Sequence, residues 1–167
     1  MIQVVEKRTN IELSGLERRL DRLTKLVQRL SEQSRRGTPI IVEGRKDEGS
    51  LRKLGIDGPI LCLKAQGKNF FEFLEGVGSN RKIIVLTDFD TEGSKLAKML
   101  VSELSKRRIK VDDCVWKQVG GLVRQEIHTV QELGSCIEAL QRRVETAKKN
   151  DREGSHSKKP YFQVILS

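Results

Sequence analysis

Two apolar, β-branched runs that each stop on carboxylates and a glycine limit this chain more than any other feature. The first is Pro39-Ile40-Ile41-Val42-Glu43-Gly44. The second is Ile83-Ile84-Val85-Leu86-Thr87-Asp88-Phe89-Asp90-Thr91-Glu92-Gly93. A continuous apolar run, unlike an alternating one, belongs to a strand covered on both faces, the situation of a parallel sheet between helices. In such sheets ligands sit beyond the carboxyl ends of the strands. Glu43, Asp88, Asp90 and Glu92 are thereby expected on one rim, where oxygen donors hold a hard divalent cation.

The remaining pattern agrees with that architecture. Strands are expected at 39–43, 59–63, 82–87 and about 109–116, with helices near 46–54, 69–76 and 91–106 between them. Strands and helices in alternation imply right-handed crossovers and a mostly parallel, four-stranded α/β sheet. Ahead of the first strand, Leu13, Leu16, Leu20, Leu23, Val27 and Leu30 recur at spacings of three and four. They predict a long amphipathic helix over about 10–36, roughly 40 Å at 1.5 Å per residue, opened by a Thr9–Glu12 capping box and stopped by Gly37 and Pro39. Its leucine stripe packs on the domain or pairs with a second copy of the chain, and the spacing alone leaves both open. A last helix is expected over about 130–149, opened by the capping box Thr129-Val130-Gln131-Glu132. The polar stretch 150–159 reads as a linker. Tyr161-Phe162-Gln163-Val164-Ile165-Leu166 reads as a short C-terminal strand, with Ile2-Gln3-Val4-Val5 as one candidate partner. The division expected is an N-terminal helical extension at 1–37, a core domain at 38–149, and a linker with terminal strand at 150–167.

Of the 167 residues, 37% are hydrophobic and 33% charged, the balance of a globular chain with a heavily charged surface. No apolar run approaches the ~20 residues of a membrane span, and the N-terminus lacks the pattern of a signal peptide, so a cytoplasmic protein is expected. The net charge of +9 favours a polyanionic partner. Cys62, Cys114 and Cys136 lack paired metal-ligand spacing and read as buried structural thiols. His128 and His156 stand isolated in the sequence. Trp116 and Tyr161, beside basic residues, read first as core or interface and second as stacking partners for bases.

Side chains two residues apart on an extended segment point the same way, so Asp88 and Asp90 can face one site, with Glu92 joining them if the chain stays extended. Carboxylates so crowded raise one another's pKa unless a cation neutralises them. Ligation by oxygen alone points to magnesium, or manganese, over zinc. Magnesium takes one or two carboxylates together with substrate phosphate oxygens, which makes phosphoryl transfer the natural chemistry. Gly44 and Gly93 leave room for a nucleic-acid backbone, Arg45 and Lys46 lie where they can meet phosphate, and Lys64, Gly67 and Lys68 follow the second strand onto the same rim. Each feature has a plainer reading. Asp90 or Thr91 can simply cap a helix, Asp47 can favour a helix dipole, and Arg45 and Lys46 can be solvated surface. The pairing of two strand ends about 45 residues apart favours the functional reading.

Val42-Glu43-Gly44-Arg45-Lys46-Asp47 resembles the first motif of the Toprim domain, in which a strand ends in Glu-Gly with an Asp three residues beyond the glycine. Thr87-Asp88-Phe89-Asp90-Thr91-Glu92-Gly93 resembles its Asp-x-Asp motif, in the DxDxE form of type IA topoisomerases. The resemblance covers roughly residues 38–120 and implies a compact Toprim/Rossmann-like fold with a magnesium site. Glu43 then corresponds to the family's general acid/base and to a residue near the metal, Asp88 and Asp90 to its metal-binding aspartates, Glu92 to an additional acid, and Asp47 to a supporting one. A topoisomerase needs a tyrosine nucleophile in separate domains, whereas the single tyrosine here is Tyr161. A bacterial-type primase needs polymerase and zinc-binding regions for which this chain has no room. What remains resembles the stand-alone small Toprim proteins of archaea and bacteria, including the ribonuclease that matures a small bacterial ribosomal RNA. The expected function is magnesium-dependent phosphoryl transfer on nucleic acid, foremost a nuclease acting on RNA, ribosomal RNA processing included, or on DNA. The alternative is a non-catalytic Toprim module that binds nucleic acid or a ribonucleoprotein.

Overall fold

A computed structural model of the chain describes residues 2–156. In order, the elements are α1 (Ile2–Arg35), β1 (Ile40–Val42), α2 (Arg45–Lys53), β2 (Ile60–Cys62), α3 (Phe70–Gly76), β3 (Lys82–Val85), α4 (Thr91–Lys106), β4 (Lys110–Asp112), α5 (Cys114–Val123) and α6 (Leu133–His156). Short 3-10 turns at Ala65–Gly67 and Val130–Glu132 precede α3 and α6. The described residues form two compact units, one of residues 22–137 and one built from residues 2–21 with 138–156.

The larger unit holds the sheet, ordered β2-β1-β3-β4 and parallel throughout. Ile40 and Ile41 of β1 pair with Ile84 and Val85 of β3, so the two strands seen in the sequence as continuous apolar runs are the two central ones. All of β1 and Ile83–Val85 of β3 are buried, as strands covered by helices on both faces must be. Fully burying each such side chain contributes about 2 kcal/mol. From β1 the chain moves outward to β2, and from β3 it moves outward the other way to β4. The order therefore reverses between β1 and β3, and a crevice opens beyond their carboxyl ends. The residues that follow those ends are Glu43 and Asp88.

Several local readings need correction. The fourth strand stops at Asp112, and Cys114 opens α5. Asp112 Oδ1 accepts the Cys114 N–H at 3.1 Å, turning the chain, and Val115, Trp116, Val119, Gly120 and Val123 are then buried at helical spacing. Cys114 is exposed, while Cys136 is buried and Cys62 is partly covered. At the other end, α1 begins well before Thr9, whose hydroxyl donates to the Val5 carbonyl at 2.9 Å inside the helix. No proline or glycine precedes Gly15, so the helix propagates through Ile2–Val5 and leaves no strand there. Thr129 caps the 3-10 turn, with α6 starting at Leu133. Finally, α6 runs through the polar residues after Asn150 to His156. The terminal strand expected at Tyr161–Leu166 lies outside the described residues.

Within the larger unit Leu23 and Leu30 of the expected stripe are buried, and with them Leu26, outside that stripe, in place of Val27, which is only partly covered. In the smaller unit α1 and α6 meet through an ion pair between Glu17 and Lys148 at 2.8 Å. No helix among the described residues is long and apolar enough to cross a membrane.

Candidate metal and phosphate site

Glu43 follows β1 directly and turns into the crevice. Its Oε1 accepts the Asp88 N–H at 3.2 Å and its Oε2 accepts Lys64 Nζ at 3.0 Å. One side chain thereby ties the end of β1 to the end of β3 and to the segment after β2. Asp47, four residues on, is buried; its Oδ2 accepts the Gly44 N–H at 3.0 Å and caps α2. Its Oδ1 accepts the Gln131 N–H at 3.1 Å, and Asp88 Oδ1 accepts the neighbouring Val130 N–H at 2.9 Å. Two successive amides of the 3-10 turn thus hold two carboxylates that the sequence places 41 residues apart.

That turn is itself braced. Glu132 Oε2 accepts the N–H groups of His128 and Thr129 at 3.2 and 3.0 Å and the Thr129 hydroxyl at 2.9 Å. The Phe89 N–H donates to the His128 carbonyl at 2.7 Å. On the other side Trp116, buried, donates its indole N–H to the Thr87 carbonyl at 2.9 Å, so its first reading as a core residue holds. The capping box at 129–132 was legible in the sequence as a helix start. Its delivery of amides to Asp88 and Asp47 was not, because nothing local couples residue 130 to residue 88.

Glu43, Gly44, Arg45, Lys46, Asp47, Lys64 and Asp88 line one hollow together with Thr129 and Gln131. Asp90 caps α4, accepting the Gly93 N–H at 2.7 Å, and lines an adjoining hollow. Because α4 begins at Thr91, the extended alternation ends at Asp90. Glu92 accordingly faces solvent, its side chain 82% exposed and paired with Lys95 at 3.2 Å. Lys68 belongs to a third hollow, with Arg45, Glu48, Cys62 and Phe73, and Gly67 supplies the left-handed turn (φ 64°) just before it. Gly93 has a packing reason. A Cβ there would overlap the Asp88 carbonyl oxygen, since the first turn of α4 lies directly on the β3 loop, where Thr87 Oγ1 donates to the Gly93 carbonyl at 2.8 Å. Gly93→Ala is expected to cost about 3 kcal/mol in a urea melt. A midpoint unchanged from wild type would show that the loop yields freely.

The electrostatics single out Asp88. Burial pushes its carboxyl up to about 6, and the charges of Asp47, Glu43 and Asp90 push the same way against the Val130 N–H. Asp47 is also raised, by burial first and then by Glu43, against the amides of Gly44 and Gln131. The Glu43 carboxylate holds the Lys64 ammonium above its ordinary value. A site that raises its own acids in this way, with oxygen donors only, suits a hard cation. Among the described residues no three acidic, imidazole or thiol groups form a ready-made cage. Magnesium does not require one, because it keeps waters and takes substrate oxygens beside one or two carboxylates. Asp88 and Asp90 fit that demand, with Glu43 adjacent.

A model of the Toprim domain matches residues 38–114, which contain Glu43, Asp47, Asp88, Asp90 and Glu92. The UPF0292 protein of Methanosarcina acetivorans is 34% identical over 133 residues, 79% of this chain and 90% of that protein. The chain belongs to the UPF0292 family. The UPF0292 protein of Pyrococcus furiosus is 33% identical over 131 residues, 78% of this chain and 95% of its own. A solved structure, a putative protein from Aquifex aeolicus, shares the fold at 26% identity with a TM-score of 0.53, covering 65% of this chain and 94% of that one. The Toprim match ties this UPF0292 chain to metal-dependent work on nucleic acid. Alignment with the UPF0292 relatives takes in more of the chain than the Toprim match does.

Proposed function

We propose that this UPF0292 protein is a magnesium-dependent phosphoryl-transfer enzyme that cleaves nucleic acid, RNA in the first instance or DNA. The observation that carries the reading is Asp88: a carboxylate half-buried among Glu43, Asp47 and Asp90 at the switch point of the sheet, raised to about 6, asking for a positive charge. Asp88 and Asp90 would hold the ion, with Glu92 an accessory on the solvent side. When bound, magnesium supplies Lewis-acid stabilisation of the charge that develops on phosphate oxygens. Glu43 serves as general acid or base. It is held at the rim by the Asp88 N–H and Lys64, so its proton can be exchanged with a phosphate-linked oxygen brought into the hollow. Arg45 and Lys46, exposed on the first turn of α2, meet the phosphate backbone, and Lys64 turns to it when Glu43 is engaged. Asp47 is a positioning residue that fixes the amides of Gly44 and Gln131. Gly44 leaves the rim open, with no neighbour closer than Asp47 Oδ2 at 3.9 Å to where its Cβ would be.

A binding module without chemistry is the second reading. It is favoured by the ion pair that occupies Glu43 with Lys64 and by the net charge of +9. The deciding experiment incubates the full chain with labelled structured RNA, single-stranded RNA and DNA, in magnesium, in manganese and in EDTA. Metal-dependent cleavage that EDTA abolishes is expected. Tight binding of those strands with no product at any metal concentration would move the protein to the second reading.

A further inference from the structure

The hollow next to the acidic centre is lined by Phe89, Asp90, Thr91, Ser94, Arg124 and His128 and measures about 440 Å³. Apart from Asp90 and the Phe89 ring, everything there can donate a hydrogen bond: a guanidinium, an imidazole and two hydroxyls on the first turn of α4. Arg124 is exposed, and among the described residues it forms no ion pair. Its guanidinium nevertheless has a defined seat. Nη2 lies 3.0 Å from the place a Cβ on residue 120 would take, and the Phe89 ring 3.4 Å from it, so Gly120 leaves the room that lets the arginine fold back toward the hollow. Both cavities border the same two crossing segments. Asp88 and Thr129 line one, and Phe89, Asp90 and His128 line the other. The bonds from Phe89 N–H to His128 O and from Val130 N–H to Asp88 Oδ1 hold those segments together.

We infer that Arg124 and His128, with Thr91 and Ser94, form a second phosphate subsite beside Asp90, so that a polynucleotide strand crosses the acidic centre with one phosphate among Arg45, Lys46 and Lys64 and a following one at Arg124. An unpaired guanidinium is the group best shaped for a phosphate's oxygen pair, and the hydroxyl and imidazole donors beside it can bond the same anion. Arg124 and His128 lie beyond residues 38–114, so the segment after the Toprim match supplies this half of the strand path. The inference rests on the nucleic-acid reading of the same centre and narrows its substrate to a chain with phosphates on both sides of the reacting one.

The test is binding of a fluorescein-labelled single strand of about 16 nucleotides, as RNA and as DNA, by anisotropy over a series of salt concentrations. Arg124→Ala is expected to weaken binding about tenfold or more and to flatten the slope of log K against log salt by about 0.7. Arg124→Lys should restore the slope with only part of the affinity, since the charge returns without the fork. His128→Ala should weaken binding with little change of slope. Thermal unfolding of all three should match wild type. Wild-type binding that Arg124→Ala leaves unchanged in affinity and slope overturns the subsite alone. A wild-type chain that binds neither strand overturns the subsite and the nucleic-acid reading together.

Discussion

Asp88→Asn is expected to lose magnesium-dependent turnover by about 10³-fold while unfolding at a higher temperature than wild type at pH 7.5 in EDTA. The loss follows from removing the ligand charge, since several kcal/mol of charge stabilisation convert to about three decades in rate. The gain in stability follows from the pKa. The Asp88 carboxyl sits at about 6 in the folded chain against 3.8 for the ordinary group. A raised folded value means that the native state binds the proton more tightly. The stability this contributes is complete below about pH 4 and is lost as the pH rises through about 6. Asp47 is shifted in the same direction and adds to the trend. Taken at face value the Asp88 shift is worth about 3 kcal/mol; with solvent screening of a half-exposed carboxylate, about 1 kcal/mol is expected. Asparagine keeps the oxygen that accepts the Val130 N–H, so relief of charge is not offset by a lost hydrogen bond. Magnesium should raise the melting temperature of wild type at pH 7.5, less at pH 5, and not that of Asp88→Asn. A variant that melts below wild type in EDTA would show that Asp88 is a structural residue.

That trade of stability for charge also explains why some parts of the site were legible in sequence and others were not. Glu43 and Asp88 end buried strands, and burial of a strand writes itself into consecutive residues: Ile40, Ile41 and Val42, then Ile83, Ile84 and Val85. A parallel sheet with its site beyond the strand ends follows from alternation with helices, whereas the order β2-β1-β3-β4, with β1 beside β3, does not. The turn that holds the carboxylates did not show, because its contribution is made by main-chain amides of Val130 and Gln131, which carry no side-chain signature. Arg124 and His128 were hidden for a related reason. Cys114-Val115-Trp116 looks β-branched and apolar, and extending the strand across it conceals α5, whose end places Arg124. Glu92 marks the opposite case. Its motif position was plain, but the helix begins one residue before it and turns the side chain to solvent. Gly93, legible as open space for a ligand, turns out to be filled by the Asp88 carbonyl.

Glu43→Gln separates chemistry from binding more cleanly than any other change, and a fall in turnover of 10²–10⁴-fold with strand affinity kept or improved is expected. The isosteric amide can still accept the Asp88 N–H through its oxygen, so the ends of β1 and β3 stay joined. Two electrostatic interactions change together. Lys64 loses the carboxylate that holds it and becomes available to phosphate. Asp88 loses one of the negative neighbours that raise its pKa, so it ionises at lower pH and presents a better ligand to the ion. Both changes favour binding of metal and strand, and only proton transfer is removed, whose contribution spans the expected range. Strand affinity by anisotropy, magnesium-induced melting shifts and single-turnover cleavage on one preparation read the three quantities side by side. If affinity and cleavage fall in parallel, Glu43 acts by holding the site together. If cleavage persists at the wild-type rate, the proton is moved by another group, and Glu43 is only the clasp between two strands.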